Sequence, residues 1–65
     1  MVRSESFAST AIASLSYDDE TETLFITFHS GHSYEIQGFP EIEYERWIGA
    51  ASKGEYWNSN VKGNY

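Results

Sequence analysis

An alternation of apolar and polar residues around a glycine-containing loop constrains the fold of this chain more than any other feature. In segments 23–28 and 32–36, apolar residues lie two positions apart, as on one face of a β-strand. A three-residue loop at 29–31 brings both apolar rows onto the same face, whereas a two-residue loop would separate them. The longer loop also puts Gly31 at the left-handed position of a type I turn followed by a bulge. The predicted cross-strand pairs are Phe28 with His32, Ile26 with Tyr34, and Leu24 with Ile36.

A further strand is predicted before this hairpin, over 11–17, where small and apolar residues alternate weakly with serines. A solvated turn of four residues at 18–21 would place Leu15 opposite Leu24. The result is a three-stranded antiparallel meander with one apolar face. The residues predicted to point inward from its first strand are Ala11, Ala13, Leu15 and Tyr17.

A helix is predicted to begin at Pro40, because a proline at the first helical position lacks only an N–H that would be unpaired anyway. Lys53 and Gly54 are typical of a helix end, since glycine readily adopts the conformation that stops a helix. Four residues on a 3.6-residue period form the stripe that should cover the sheet. They are Tyr44, Trp47, Ile48 and Ala51.

The tail carries Trp57, Val61 and Tyr65 at i, i+4 and i+8, which favours a short second helix or turn packed by those side chains. The predicted fold class is therefore α+β: a three-stranded antiparallel β-meander with a C-terminal helix packed on one face and a short second helix or turn. Residues 1–8 are polar and unpatterned, so we expect a loose N-terminal segment before a single domain over 9–65.

The small size of the chain limits how many aromatic residues are free for a ligand. Sixty-five residues bury only about 60% of the surface that the unfolded chain exposes. The chain has no cysteine, so neither disulfides nor thiolate metal sites support the fold. The core must instead draw on most of the eleven aromatic residues.

Charge is unevenly distributed along the chain. The formal net charge is −6, and residues 18–45 hold eight acids and no base. Residues 46–65 hold three bases and one acid, so an anionic partner should meet this C-terminal third. No secretory signal and no apolar run near the ~20 residues of a membrane span is present, so we expect a cytoplasmic protein with no membrane partner.

Several motifs of the chain occur together in one known family: Tyr17-Asp18, Leu24-x-Ile26-x-Phe28-x-Ser30-Gly31-x-x-Tyr34, Phe39-Pro40-x-x-x-Tyr44-x-x-Trp47, Ala50-x-Ser52-x-Gly54-x-Tyr56-Trp57-Asn58 and Val61-Lys62-x-x-Tyr65. With these motifs the chain resembles the KTSC domain family, a C-terminal domain of some lysyl-tRNA synthetases that also occurs as small stand-alone proteins. The resemblance covers about 9–65 and implies contact with RNA or an RNA-associated protein, as an association and not a mechanism. The sequence departs from the family at Ile36, where the family has a second tyrosine, and at Lys62, where arginine is typical.

The segment that follows the predicted helix holds the candidate binding residues. In the functional interpretation, Tyr56 or Trp57 stacks on a base, Asn58 reads the edge of that base, and two lysines hold phosphate. Those lysines are Lys53 and Lys62.

The alternative interpretation of the same segment is structural, and we favour it because capping chemistry selects the same residue types. Ser52 and Asn58 would then satisfy backbone groups at helix ends, and Gly54 would take a positive φ. Tyr56 and Trp57 would fill the core.

Other polar and aromatic groups receive structural interpretations. Strand periodicity places Tyr34 in the core. His29 and His32 are read as polar turn residues and not metal ligands, because no third ligand is suitably spaced. The acids at 18–22 are read as a solvated loop, since their spacing is not that of a calcium loop.

No arrangement in the sequence places a nucleophile beside a base, so we expect no enzyme and no cofactor. The leading hypothesis is a small non-catalytic binding module whose partner is RNA or an RNA-associated protein. The alternative is a protein–protein interaction adaptor that uses exposed C-terminal aromatics, the acidic surface or a free strand edge, with a basic protein surface as partner. A free outer strand would also allow a homodimer.

Overall fold

A computed structural model describes residues 1–7 and 11–65, which form an antiparallel sheet followed by two helices and a π-helical turn. The α+β fold class is confirmed. Within these residues the sheet has four strands in the order β1-β2-β3-β4. The strands are β1 (Val2–Ser6), β2 (Ile12–Asp18), β3 (Thr23–Phe28) and β4 (Ser33–Gln37), and the helical segments are α1 (Glu41–Ile48), α2 (Lys53–Tyr56) and the π-helical turn (Trp57–Val61).

The prediction of three strands is wrong, because the segment expected to be loose forms β1 at the edge of the sheet. Arg3 pairs with Tyr17 and Glu5 pairs with Leu15. A polar edge strand is held by its backbone ladder and needs no apolar row, so alternation alone does not reveal it. The predicted domain boundary between residues 8 and 9 lies outside the described residues.

The β3–β4 hairpin has the predicted register, with Ile26 opposite Tyr34 and Leu24 opposite Ile36. The Phe28 N–H donates to the His32 carbonyl at 2.9 Å, so the loop is 29–31 as expected. Gly31 has φ 96°, in the left-handed region that favours glycine. This hairpin is therefore confirmed in its loop length, its register and its glycine.

The predicted β2–β3 register is wrong by two residues. Leu15 lies opposite Ile26, because the turn occupies 19–22 and Glu22 adopts φ 52° within it. A shift of two keeps every side chain on its own face, so the apolar pattern could not distinguish the registers. The β2–β3 register shifts again between Ile12 and Ser14. This irregularity turns the Ile12 side chain into the core, on the face where Ala11 and Ala13 were predicted.

The first helix is shorter than predicted. Pro40 is the cap before the first helical residue, and α1 ends at Ile48 with Gly49 as its C-cap. The predicted end at 53–54 is wrong because the chain turns and starts α2 there, with the Ser52 hydroxyl accepting from the Glu55 N–H at 3.3 Å. Ala51, expected in the covering stripe, is consequently exposed.

The core lies between the sheet and the helical segments. Tyr44 and Trp47 of α1 are fully buried, as predicted, and Ile48 is partly buried. In the tail Val61 is buried, whereas Tyr65 remains half-exposed with its ring centroid 4.8 Å from that of Phe39. The buried apolar residues are Ile12, Leu15, Tyr17, Leu24, Ile26, Phe39, Tyr44, Trp47 and Val61. No helix in the described part of the chain has the length and apolarity needed to span a membrane.

Candidate functional site

An open groove of about 240 Å³ lies where the β3–β4 hairpin meets the π-helical turn. We call it the aromatic groove. Three aromatic rings, two polar turn side chains and one lysine line it. These residues are Phe28, Ser30, His32, Tyr34, Trp57 and Lys62.

The three rings of the aromatic groove contact one another. The Phe28 ring meets Trp57 at a centroid distance of 5.4 Å and Tyr34 at 5.6 Å, both edge-on. The Tyr34 and Trp57 rings are 5.9 Å apart and inclined by 33°. Phe28 is only partly exposed, whereas Tyr34 exposes 52% of its surface. The groove therefore presents a rigid aromatic surface with a solvent-facing rim.

The core position predicted for Tyr34 is wrong. Strand alternation does put Tyr34 on the same face as the core, opposite Ile26. However, α1 lies over the other half of the sheet, where Tyr44 stacks on Tyr17 at 5.1 Å. Nothing within the described residues covers the β4 side to the same depth, so Tyr34 stays half-exposed.

Core packing holds Trp57 in place, and a backbone hydrogen bond positions Lys62 beside it. The Trp57 ring stacks on the buried Trp47 at a centroid distance of 6.0 Å and an angle of 18°. The Trp47 indole N–H in turn donates to the Lys53 carbonyl at 3.0 Å, which joins α1 to α2. The Lys62 N–H donates to the Trp57 carbonyl at 2.8 Å and closes the π-helical turn beside the groove. Single π-turns are frequent at functional sites.

The other three predicted binding residues lie outside the aromatic groove. The Lys53 ammonium donates to the Ala50 carbonyl at 2.5 Å and lies 4.9 Å from the centroid of the Phe7 ring. Tyr56 is partly buried, stacks on Trp47 at 5.8 Å, and donates a hydrogen bond to the Glu43 carboxylate. Asn58 is exposed in the π-helical turn.

Burial and the hydrogen bond to Glu43 raise the pKa of Tyr56 to about 12. Burial is the larger cause, because it disfavours the phenolate, and the adjacent carboxylate disfavours it further. Tyr56 is therefore a neutral structural donor over the whole physiological range. It joins α1 to α2 and does not stand ready to transfer a proton.

The structural interpretation is confirmed for Ser52, which caps α2, and wrong for Gly54. Gly54 does not have the predicted positive φ but lies inside α2. A Cβ at this position would lie 3.4 Å from the Cβ of Ala11, an ordinary van der Waals contact, so α2 runs close to the residue that precedes β2.

Sequence reasoning missed Phe28, Ser30, His32 and Tyr34 as groove residues. One signal in the sequence could have identified them: all four lie at the loop end of the predicted β3–β4 hairpin. The apolar stripe of α1 does not reach that end of the sheet. Only the path of the tail, which brings Trp57 against Phe28, turns that end into a groove. Across the part of the chain that the structure describes, no three His, Asp or Glu side chains are grouped to hold a metal ion.

Comparison with known proteins matches residues 8–65 to the KTSC domain. Over 54 residues the chain is 39% identical to a lysine–tRNA ligase of Nostoc punctiforme, a match that covers 83% of this chain. The chain spans only 10% of the length of that ligase. The crystal structure of a KTSC domain protein from Yersinia pestis has a TM-score of 0.91 and 28% identity, and the match covers 98% of this chain and 90% of that one. This chain therefore belongs to the KTSC domain family, as its sequence motifs indicated.

Proposed function

We propose that this protein is a non-catalytic module that binds unpaired bases of RNA in the aromatic groove. The observation that carries the proposal is the contact of three rings, two of them from the hairpin and one from the tail, beside a lysine. Proteins that bind single-stranded RNA stack its unpaired bases on aromatic rings of this kind.

The stacking surface is provided by Tyr34 and Trp57. Tyr34 is 52% exposed, and Trp57 is supported from behind by the buried Trp47. Aromatic side chains that are already fixed by packing lose little conformational entropy when a base stacks on them, so most of the stacking energy contributes to affinity. Stacking contributes about 1–3 kcal/mol per base.

Phosphate contact in this proposal is limited to the neighbourhood of Lys62. His32 and Ser30 add polar groups to the lining of the groove. The chain as a whole carries a formal net charge of −6, which repels a phosphate backbone. We therefore expect weak binding, with a dissociation constant of tens of micromolar. For each phosphate contacted, the logarithm of the association constant should fall by only about 0.7 for a tenfold rise in salt concentration.

The similarity to a segment of a lysine–tRNA ligase supports RNA, or a protein bound to RNA, as the partner. A partner of this kind would place the protein in the cytoplasm, and we propose that location. No cofactor enters the proposed binding.

The test is a titration at low salt of labelled single-stranded RNA of about eight nucleotides, followed by fluorescence anisotropy. The same sequence in duplex form is the matched probe, because its bases are not free to stack. We expect saturable binding of the single strand and much weaker binding of the duplex. No binding of the single strand at hundreds of micromolar would overturn the proposal.

Three variants locate the bound RNA. Trp57→Ala and Tyr34→Ala should each weaken binding by about 1–3 kcal/mol. Phe25→Ala is the matched control, since Phe25 is an exposed aromatic residue on the uncovered face of the sheet, away from the groove. Equal losses in all three variants would show that the aromatic groove is not the binding site.

Protein–protein interaction is the second candidate function, and the 42% exposure of Phe25 on the uncovered sheet face favours it. An adaptor that used this face would lose its protein partner on Phe25→Ser and keep it on Trp57→Ala. If the protein binds RNA in the aromatic groove, the RNA probe should instead be lost on Trp57→Ala and kept on Phe25→Ser. The two variants therefore discriminate the functions.

A further inference from the structure

The outer edge of β1 offers a row of backbone groups directed away from the rest of the sheet. The Phe7 N–H donates to the Ala13 carbonyl at 3.0 Å, and the Asp19 N–H donates to the Met1 carbonyl at 3.4 Å. These bonds show that the odd-numbered residues of β1 direct their backbone groups toward β2. The even-numbered residues, Val2, Ser4 and Ser6, therefore direct theirs outward, and in the described part of the chain no strand lies beyond β1.

We propose that β1 pairs antiparallel with β1 of a second copy, about a two-fold axis at Ser4, to join two sheets into one. In this register Ser4 faces the partner's Ser4, and Val2 faces the partner's Ser6. Each of these pairs exchanges both N–H···O=C bonds, because these are the residues whose backbone groups point outward. The interface is isologous and therefore closes as a dimer.

Charge complementarity identifies a second copy as the occupant of this edge. Between the hydrogen-bonded pairs, Arg3 lies opposite the partner's Glu5 and Glu5 lies opposite the partner's Arg3. These are non-hydrogen-bonded positions, at which facing side chains are closest, and both side chains lie on the helix-covered face. An uncharged strand at this edge is disfavoured, since it would offer Glu5 no opposite charge.

The neighbours of Arg3 are compatible with this pairing. Arg3 already lies 3.5 Å from a Glu41 oxygen and 3.4 Å from a Glu45 oxygen, with its guanidinium 5.1 Å from the centroid of the Tyr44 ring. These contacts hold the Arg3 side chain against α1 on the helix-covered face, and the partner's Glu5 would add one further acceptor. The net charge of −6 on each copy opposes association, so the dimer is expected to be weak and to depend on the two ion pairs.

The opposite edge of the sheet is a poorer place for the same pairing. A two-fold axis at the centre of β4 would set Glu35 against the partner's Glu35, and directly opposed like charges destabilise a sheet. The aromatic groove lies on the β4 side. Pairing through β1 therefore leaves the groove of both copies open, and the dimer does not rest on the proposed RNA binding.

The test is sedimentation equilibrium of the full chain from micromolar to millimolar concentration. We expect a monomer–dimer equilibrium, and a chain that stays monomeric at millimolar concentration would overturn the proposal. Ser4→Pro should abolish the dimer without unfolding the chain, because proline at an outward-facing edge position removes an N–H that β2 does not use. Ser33→Pro, at an outward-facing position of β4 on the other edge, is the matched control because it leaves the charge unchanged, and it should leave the equilibrium unchanged.

A charge-swap experiment tests the register. Glu5→Lys sets like charges opposite each other in its own dimer, and so does Arg3→Glu, so each variant alone should dimerise at least about tenfold more weakly. A mixture of the two variants restores one opposite-charge pair on each side and should recover the dimer. Where Arg3→Glu does not fold, judged by circular dichroism, Glu5→Lys and Ser4→Pro decide the question. Failure of both to weaken the wild-type dimer would overturn the pairing.

Discussion

At the residue scale, two stacked tyrosines of the core differ in their hydrogen bonding. The Tyr17 hydroxyl donates to the Phe39 carbonyl at 2.5 Å, whereas the Tyr44 hydroxyl is buried and finds no partner among the described residues. Their rings lie 5.1 Å apart in a stacked arrangement, so both residues fill the same region of the core. Removing each hydroxyl in turn therefore compares the stability contributed by a hydrogen-bonded buried hydroxyl with the cost of an unpaired one.

We expect Tyr17→Phe to destabilise the protein by about 1–3 kcal/mol, because it leaves the buried Phe39 carbonyl without its donor. Tyr44→Phe should be neutral or stabilising, because it removes a desolvated hydroxyl and keeps the ring. Urea unfolding of both variants, followed by circular dichroism, measures the difference. Equal destabilisation would mean that Tyr44 has a hydrogen-bond partner in solution.

The acid–base behaviour of Tyr56 gives a second prediction at this scale. Its pKa is raised to about 12 in the folded chain, above the ordinary value of 10.0 that it has when unfolded. The unfolded state therefore loses this proton first as the pH rises, and folding stability contributed by Tyr56 is present below pH 10 and lost between pH 10 and 12.

The urea midpoint of the wild type should therefore fall more steeply between pH 10 and 12 than that of Tyr56→Phe. Near neutral pH the variant should be less stable by about 1 kcal/mol, since it loses the hydrogen bond to Glu43. The pKa values of Tyr17 and Tyr44 are also raised by burial, so some decline should remain in the variant. Parallel curves for the two proteins would contradict the assignment.

At the scale of elements, two glycines mark the ends of secondary structure for different reasons. Gly31 closes the β3–β4 hairpin at φ 96°, which a residue with a Cβ adopts only with strain. Gly49 caps α1 at φ −87°, which any residue can adopt. A Cβ on Gly49 would approach only the Glu45 and Arg46 carbonyls, at 3.5 and 3.8 Å, so the glycine is not needed for contact with the sheet.

Alanine at these two positions should therefore have opposite effects. Gly31→Ala should destabilise the protein by about 1–2 kcal/mol through the left-handed turn. Gly49→Ala should stabilise it by about 0.4–1 kcal/mol, because it restricts the unfolded chain without straining the folded one. Thermal unfolding of the two variants beside the wild type is the measurement. A destabilised Gly49→Ala protein would show that the bend after α1 needs glycine.

At the scale of the whole molecule, the sheet separates two surfaces with different proposed roles. The edge at β1 is charged and self-complementary, and the side at β4 carries the aromatic groove. Because two strands lie between these edges, a change at one should leave the other intact.

We expect Ser4→Pro to bind the single-stranded RNA probe with the affinity of the wild type. Trp57→Ala, in turn, should dimerise like the wild type. Anisotropy and sedimentation on both variants provide the four measurements. Loss of RNA binding in a folded Ser4→Pro protein would show that dimerisation and RNA binding are coupled.

The amino-acid sequence alone determined the family, the α+β class and the β3–β4 hairpin. These depend on short-range physics: strand alternation, the loop length and the left-handed preference of Gly31 act within about a dozen residues. Ser52 was also correctly read as a cap, because capping involves only the next turn of helix.

Only the tertiary structure decided where β1 lies, where α1 ends and which aromatic residues stay exposed. β1 forms through a backbone ladder to β2 that leaves no apolar signature. Tyr34 faces the core side of the sheet, yet its side chain is exposed because α1 covers only the β1–β2 half. The tail then brings Trp57 beside it, which creates the aromatic groove. Burial depends on what lies above a face, and that is set by contacts between residues far apart in the chain.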